Sequence, residues 1–130
     1  IAVLFILVGI IGWVVSAGAS LAIIGSTQPI EQAVPFNASL YSATLGIGTV
    51  AGILWGIGTL ALALAISTRE DSNNIAALVA AVAAVVAIVV TIIGGLDSTT
   101  LETMSLISGI TYLVHMVWFF MLGLNLNKVE

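Results

Sequence analysis

Long apolar runs alternate with short polar stretches along the whole chain, and the lengths of the runs carry the first inference. Segments free of Asp, Glu, Lys and Arg and rich in apolar residues cover roughly residues 1–25, 40–67, 74–95 and 103–125. Each is close to or above the length of about 20 residues that a helix needs to cross a bilayer. No segment alternates in polarity over about 10 residues, as a membrane barrel strand would. Within lipid a helix satisfies its own backbone, so each run is read as a spanning helix. The expected architecture is therefore all-α: an integral membrane protein of four transmembrane helices in a single domain, 1–130.

The connections between runs differ in kind. The first, "STQPIEQAVPFNAS", holds Pro29 and Pro35 and is read as the longest loop. The second, "STREDSNN", is a tight charged turn. The third, "GGLDSTTLE", begins with Gly94 and Gly95, which are expected to end the preceding helix in the left-handed conformation. Asp97, Ser98, Thr99 or Thr100 would then cap the next helix. The ends of the first and third runs, "AIIGSTQPIEQ" and "TIIGGLDSTTLE", resemble one another, as do their starts, "IAVLFILV" and "IAALVAAV". Parallel duplication of a two-helix hairpin and chance similarity among apolar residues both explain this.

Composition strengthens the membrane reading. The chain is 61% hydrophobic and 6% charged, against roughly a quarter charged in soluble domains. Too few polar residues exist to coat a globule. With two basic residues in all, no surface for nucleic-acid phosphates can be built. The absence of cysteine excludes disulfides, thiolate metal sites and c-type haem attachment. The chain opens on Ile1, so a removed leader and a sequence given in part both stand open. Its first run lacks a basic flank and exceeds a signal core in length, which makes it a span. Arg69 and Lys128 would share one side of a four-span protein, and the positive-inside rule places that side in the cytoplasm. A cleaved leader would favour the opposite orientation.

Within "GIGTVAGILWGIG", Gly48, Gly52 and Gly56 recur every four residues. An interior glycine costs about 1 kcal/mol relative to alanine in a water-exposed helix. In a membrane, where lipid tails are as apolar as leucine, helices associate by close packing, and such a groove admits a neighbouring backbone. Gly12, Ser16 and Ser20 repeat the spacing on the first helix, Ala76, Ala80 and Ala84 on the third, and Ser105 with Gly109 on the fourth. These faces serve packing within the chain or contact with other copies or other membrane subunits. Trp13, Trp55 and Trp118 lie well inside their runs and are read as packing residues.

Candidate chemistry is sparse. His115, in "TYLVHMVWFFM", is the only histidine and an intramembrane ionisable residue, hence a candidate polar site. One histidine cannot supply both axial ligands of a haem. A neutral imidazole bonded to a neighbouring helix is the favoured reading. The carboxylates fall in connections or at ends, which argues against a proton-carrying ring or an ion-coupled transporter with a midplane site. "GIGTVAG" has neither a preceding strand nor a following lysine, so it is no phosphate loop. Asn37-Ala38-Ser39 matches a glycosylation sequon, usable if its loop faces outward. No catalytic residue, metal site or cofactor is expected.

The segment "GTVAGILWGIGTLALALAISTREDSNNIAALVAAVAAVVAIVV" resembles the helix–turn–helix of conjugation-type pilins of type IV secretion systems, over about a third of the chain. Those pilins are small, hydrophobic helical proteins whose leaders are removed and whose helices flank a short charged turn. The resemblance implies storage in the membrane, extraction into a filament commonly with bound lipid, and, in related archaeal pili, DNA transfer. The expected function is a non-enzymatic, self-assembling structural subunit in the cell membrane or in an extracellular filament. An accessory subunit of a respiratory-type membrane complex is the alternative, and a small channel or transporter is less favoured.

Overall fold

The computed structural model describes residues 1–24, 30–69 and 73–126. They form α1 (Ala2–Ile24), α2 (Ile30–Ser67), α3 (Asn74–Leu96) and α4 (Leu101–Leu126), with a single 3-10 turn, Ser98–Thr100, leading into α4. All four helices are long and apolar enough to cross a membrane. No strand occurs among the described residues.

One helix limit departs from the sequence expectation, and one helix ends by a different device. α2 begins at Ile30 rather than near residue 40 and carries Pro35 inside it. The hydrogen bond that Pro35 forfeits would have run four residues back, into the opening turns, where its loss interrupts little of the helix. Ser39 Oγ donates to the Pro35 carbonyl at 3.1 Å. With 38 residues, α2 is about 57 Å long at 1.5 Å per residue. A hydrocarbon core is about 30 Å thick, so the helix projects well beyond it.

Gly94 and Gly95 do not end α3, which continues to Leu96. No glycine among the described residues has positive φ. They are contact points instead. A Cβ on Gly94 would lie 3.0 Å from Met104 Cβ of α4, and one on Gly95 would lie 2.7 Å from the Thr49 side chain of α2. The end of α3 falls to Asp97, which is extended at φ −130° and whose carboxylate accepts from the Thr99 N–H at 2.9 Å. Asn73 caps the start of α3, accepting from the Ala76 N–H at 3.1 Å.

Consecutive helices pack as antiparallel neighbours, and glycine sets their approach. On α1, a Cβ at Gly12 would come within 2.7 Å of Ala51 Cβ, and one at Gly9 within 2.8 Å of the Ala51 carbonyl. One at Gly58 of α2 would lie 2.7 Å from the Ala2 carbonyl. The buried interior is mostly alanine: Ala63, Ala77, Ala80, Ala84 and Ala87 are sealed, while Val79, Val82, Val85 and Val89 face outward. Large side chains outside and small ones inside suit a helix bundle in lipid, where backbone approach rather than apolar burial holds the helices together. α1 and α4 meet through side chains, the Trp13 and Tyr112 rings standing 5.0 Å apart edge to face.

The interior of the bundle is polar toward one end and apolar toward the other. Ser98–Thr100 and the α3–α4 connection mark the first end, here called the Asp97 face. Arg69, after the end of α2, and Asn73, before the start of α3, mark the second, the Arg69 face. Toward the Arg69 face the core is Ala63, Ala77, Ala80, Ala81 and Trp118, flanked by leucine, isoleucine and phenylalanine.

Candidate functional site

Polar side chains gather in the half of the bundle nearer the Asp97 face. Hydroxyls of α2, α3 and α4, with Ser16 of α1, line an open hollow of about 260 Å³. Thr44 and Thr49 contribute from α2, Thr91 from α3, and Ser105, Ser108 and Tyr112 from α4. Helix geometry explains the convergence: Ser105, Ser108 and Tyr112 fall at i, i+3 and i+7 and so share one face. Gly48, Gly94 and Gly95 form part of the wall. Tyr112 stands at the deep end, its hydroxyl grouped with those of Thr91 and Ser108.

Below Tyr112 lies an aromatic layer. The Trp13 and Trp55 rings are 5.3 Å apart, Trp55 is 6.4 Å from Tyr112, and Phe119 is 5.8 Å from Trp55. His115 sits beside this layer with no exposed surface. Its Nε2 lies 3.2 Å from the Ala80 carbonyl of α3. A carbonyl can only accept, so Nε2 carries the proton, and in the neutral ring Nδ1 is left as an acceptor. His115 Nδ1, Trp55 Nε1 and Thr59 Oγ1 are buried without a hydrogen-bond partner among the described residues.

The small residues singled out in the sequence are placed as follows. Gly52 lies under Thr91 and the Tyr112 hydroxyl, and Gly56 lies against Ile88, so both meet neighbours within the chain. Gly48 faces Ser16, whose Oγ would be 3.5 Å from an added Cβ. Gly12 lies on Ala51, and Ser16 Oγ donates to the Thr44 carbonyl at 3.1 Å. Ser20 donates within its own helix, to the Ser16 carbonyl at 3.0 Å. The face of Gly48, Gly52 and Gly56 is thus occupied by α1, α3 and α4. Gly18, Gly46, Gly109 and Gly123 instead have open space where a Cβ would stand. Asn37 lies half-buried in α2 rather than in a loop, because that helix begins before Pro35 rather than after it.

Sequence reading passed over Thr44, Thr49, Thr91, Ser108 and Tyr112. Their signal was spacing: hydroxyls and glycines recur at three- and four-residue intervals in the parts of three spans that end at the same face. On the outer side of α3 and α4 lies a second hollow of about 390 Å³, apolar and lined by residues such as Val79, Ile110, Val114 and Trp118. No group of three or more metal-ligating side chains occurs among the described residues. No protein-family model, curated protein or solved structure matches the chain.

Proposed function

We propose that this chain is a non-enzymatic structural subunit of the cell membrane that assembles with further copies of itself. The observation that carries the reading is α1. It carries no charged residue, yet the fold buries only 6% of its most apolar stretch, against 39% for those of α2 and α3 and 22% for that of α4. One face of α1 packs on α2 from Ala2 to Ser16, through Ile6, Gly9 and Gly12, while Leu4, Ile11 and Val14 stand outward. Gly18, outward on the same helix, gives a neighbouring helix a place to approach closely. The apolar hollow on α3 and α4 suits a lipid chain. In its most specific form the subunit is a conjugation-type pilin, held in the membrane and drawn into an extracellular DNA-transfer filament with bound lipid. That form rests on the resemblance of the α2–turn–α3 segment.

A subunit of a respiratory-type complex is the second reading, and the burial of His115 beside the aromatic layer favours it. Extraction in mild detergent followed by native mass measurement separates the two. Filaments or oligomers of this chain alone support the structural subunit. Co-purifying unlike subunits support the second reading, and a monodisperse single chain overturns both.

A further inference from the structure

We infer that the hydroxyl-lined hollow is a hydrated slot, which takes water and small uncharged hydroxylic solutes from the Asp97 face to the middle of the membrane and ends at Tyr112.

Depth is the first argument. Tyr112 lies eleven residues into α4 from Leu101, about 16 Å at 1.5 Å per residue. That is half of a hydrocarbon core of about 30 Å. Size is the second: the hollow measures about 260 Å³, whereas one water needs roughly 10–15 Å³ on the same measure.

The chemistry of the wall selects the occupant. No charged side chain lines it, so an ionic headgroup finds no counter-charge there. Thr44 and Thr49 spend their protons on the Leu40 and Leu45 carbonyls, each at 2.8 Å, and Ser16 spends its proton on the Thr44 carbonyl. Their oxygens keep lone pairs, which makes this wall an acceptor surface. Opposite it, Ser105, Ser108 and Tyr112 supply hydroxyls from α4. A surface of acceptors facing hydroxyls fits a ligand that both donates and accepts without charge. An acyl chain would leave that capacity unused.

What lies beyond Tyr112 points the same way. His115 offers an unpaired acceptor and Trp55 an unpaired donor, both buried, with ring centroids 6.3 Å apart. Buried polar groups in this state are commonly served by water. The alanine core on the Arg69 side, closed by Trp118, then ends the polar path.

The chain contains no cysteine, which makes single thiols clean reporters. Ser105→Cys, Ser108→Cys and Gly109→Cys are each reconstituted into phosphatidylcholine vesicles and exposed to neutral 2-hydroxyethyl methanethiosulfonate. Serine to cysteine is nearly isosteric, and circular dichroism checks the fold. Gly109 shares the depth of Ser108 but has nothing within 4 Å of an added Cβ. Because the thiolate is the reacting form, and forms in water, the thiols at 105 and 108 should react at least about tenfold faster than that at 109. Gly48→Leu, which enters the slot where an added Cβ meets only Ser16, should abolish the reaction at 108. Equal rates at 108 and 109 would mean that the slot is dry or filled by lipid. An unchanged rate at 108 with Gly48→Leu would mean that the reagent does not arrive through the slot. Either result overturns the inference.

Discussion

His115 Nε2 donates to the Ala80 carbonyl across 3.2 Å, joining α4 to α3 where both residues have no exposed surface. This contact marks the boundary between the two halves of the bundle. Hydroxyls and glycines lie toward the Asp97 face, and alanines packed under Trp118 lie toward the Arg69 face. The arrangement gives the histidine a structural task that requires no change of protonation.

Replacement of His115 tests that task. Glutamine keeps a donor and much of the volume, so His115→Gln should cost about 1 kcal/mol, the net worth of one hydrogen bond. His115→Ala removes the bond and opens a cavity, and should cost about 2–5 kcal/mol. Thermal unfolding in detergent measures both. Assembly should survive the glutamine variant, whereas loss of a bound haem or of a proton-coupled activity would transfer support to the enzyme-complex reading.

Gly52 provides a second test. Leucine improves membrane insertion and helix propensity, so Gly52→Leu would be harmless on a lipid-facing surface. Here an added Cβ would already stand 2.9 Å from Thr91 Cγ2. Overpacking typically costs about 1–3 kcal/mol or more. The variant should insert and stay helical but melt earlier, while Gly109→Leu, with open space around it, should not. Equal melting of the two would contradict the packing described.

The spans were legible because their runs are long and nearly free of charge, and a bilayer fixes the length of a span. The start of α2 was not legible. The stretch 30–39 around Pro35 read as part of a loop, yet a proline near the beginning of a helix removes only one early bond. Gly94 and Gly95 carried the appearance of a helix stop, but in a membrane bundle the demand for close approach to Met104 and Thr49 outweighs that local preference. The slot stayed hidden for another reason. Thr44, Thr91 and Tyr112 come from three helices, and nothing local in any one of them announces that the three meet.

Asp97 carries a pH prediction. The hydroxyl and backbone N–H of Thr99 both bond its carboxylate, at 2.6 and 2.9 Å, and hold its pKa below the ordinary value of 3.8. A carboxylate whose pKa is lowered by folding contributes stability above its unfolded pKa, and that contribution is lost as pH falls through the folded value. The wild-type chain should therefore lose stability on acidification below the ordinary carboxylate range. Asp97→Asn keeps an acceptor for the cap but does not titrate, so the stability gap between the two should narrow in acid. A gap independent of pH would show that the carboxylate charge contributes nothing to the α3–α4 turn.

Self-association is the central claim, and energy transfer between copies in lipid tests it most directly. Ser98 is exposed in the α3–α4 connection, so Ser98→Cys accepts donor or acceptor dyes in a chain without other thiols. Labelled copies are mixed in vesicles and the lipid-to-protein ratio is raised. Transfer should persist on dilution and fall only when unlabelled chain competes. Transfer that declines with lipid dilution as expected for randomly placed monomers would contradict it.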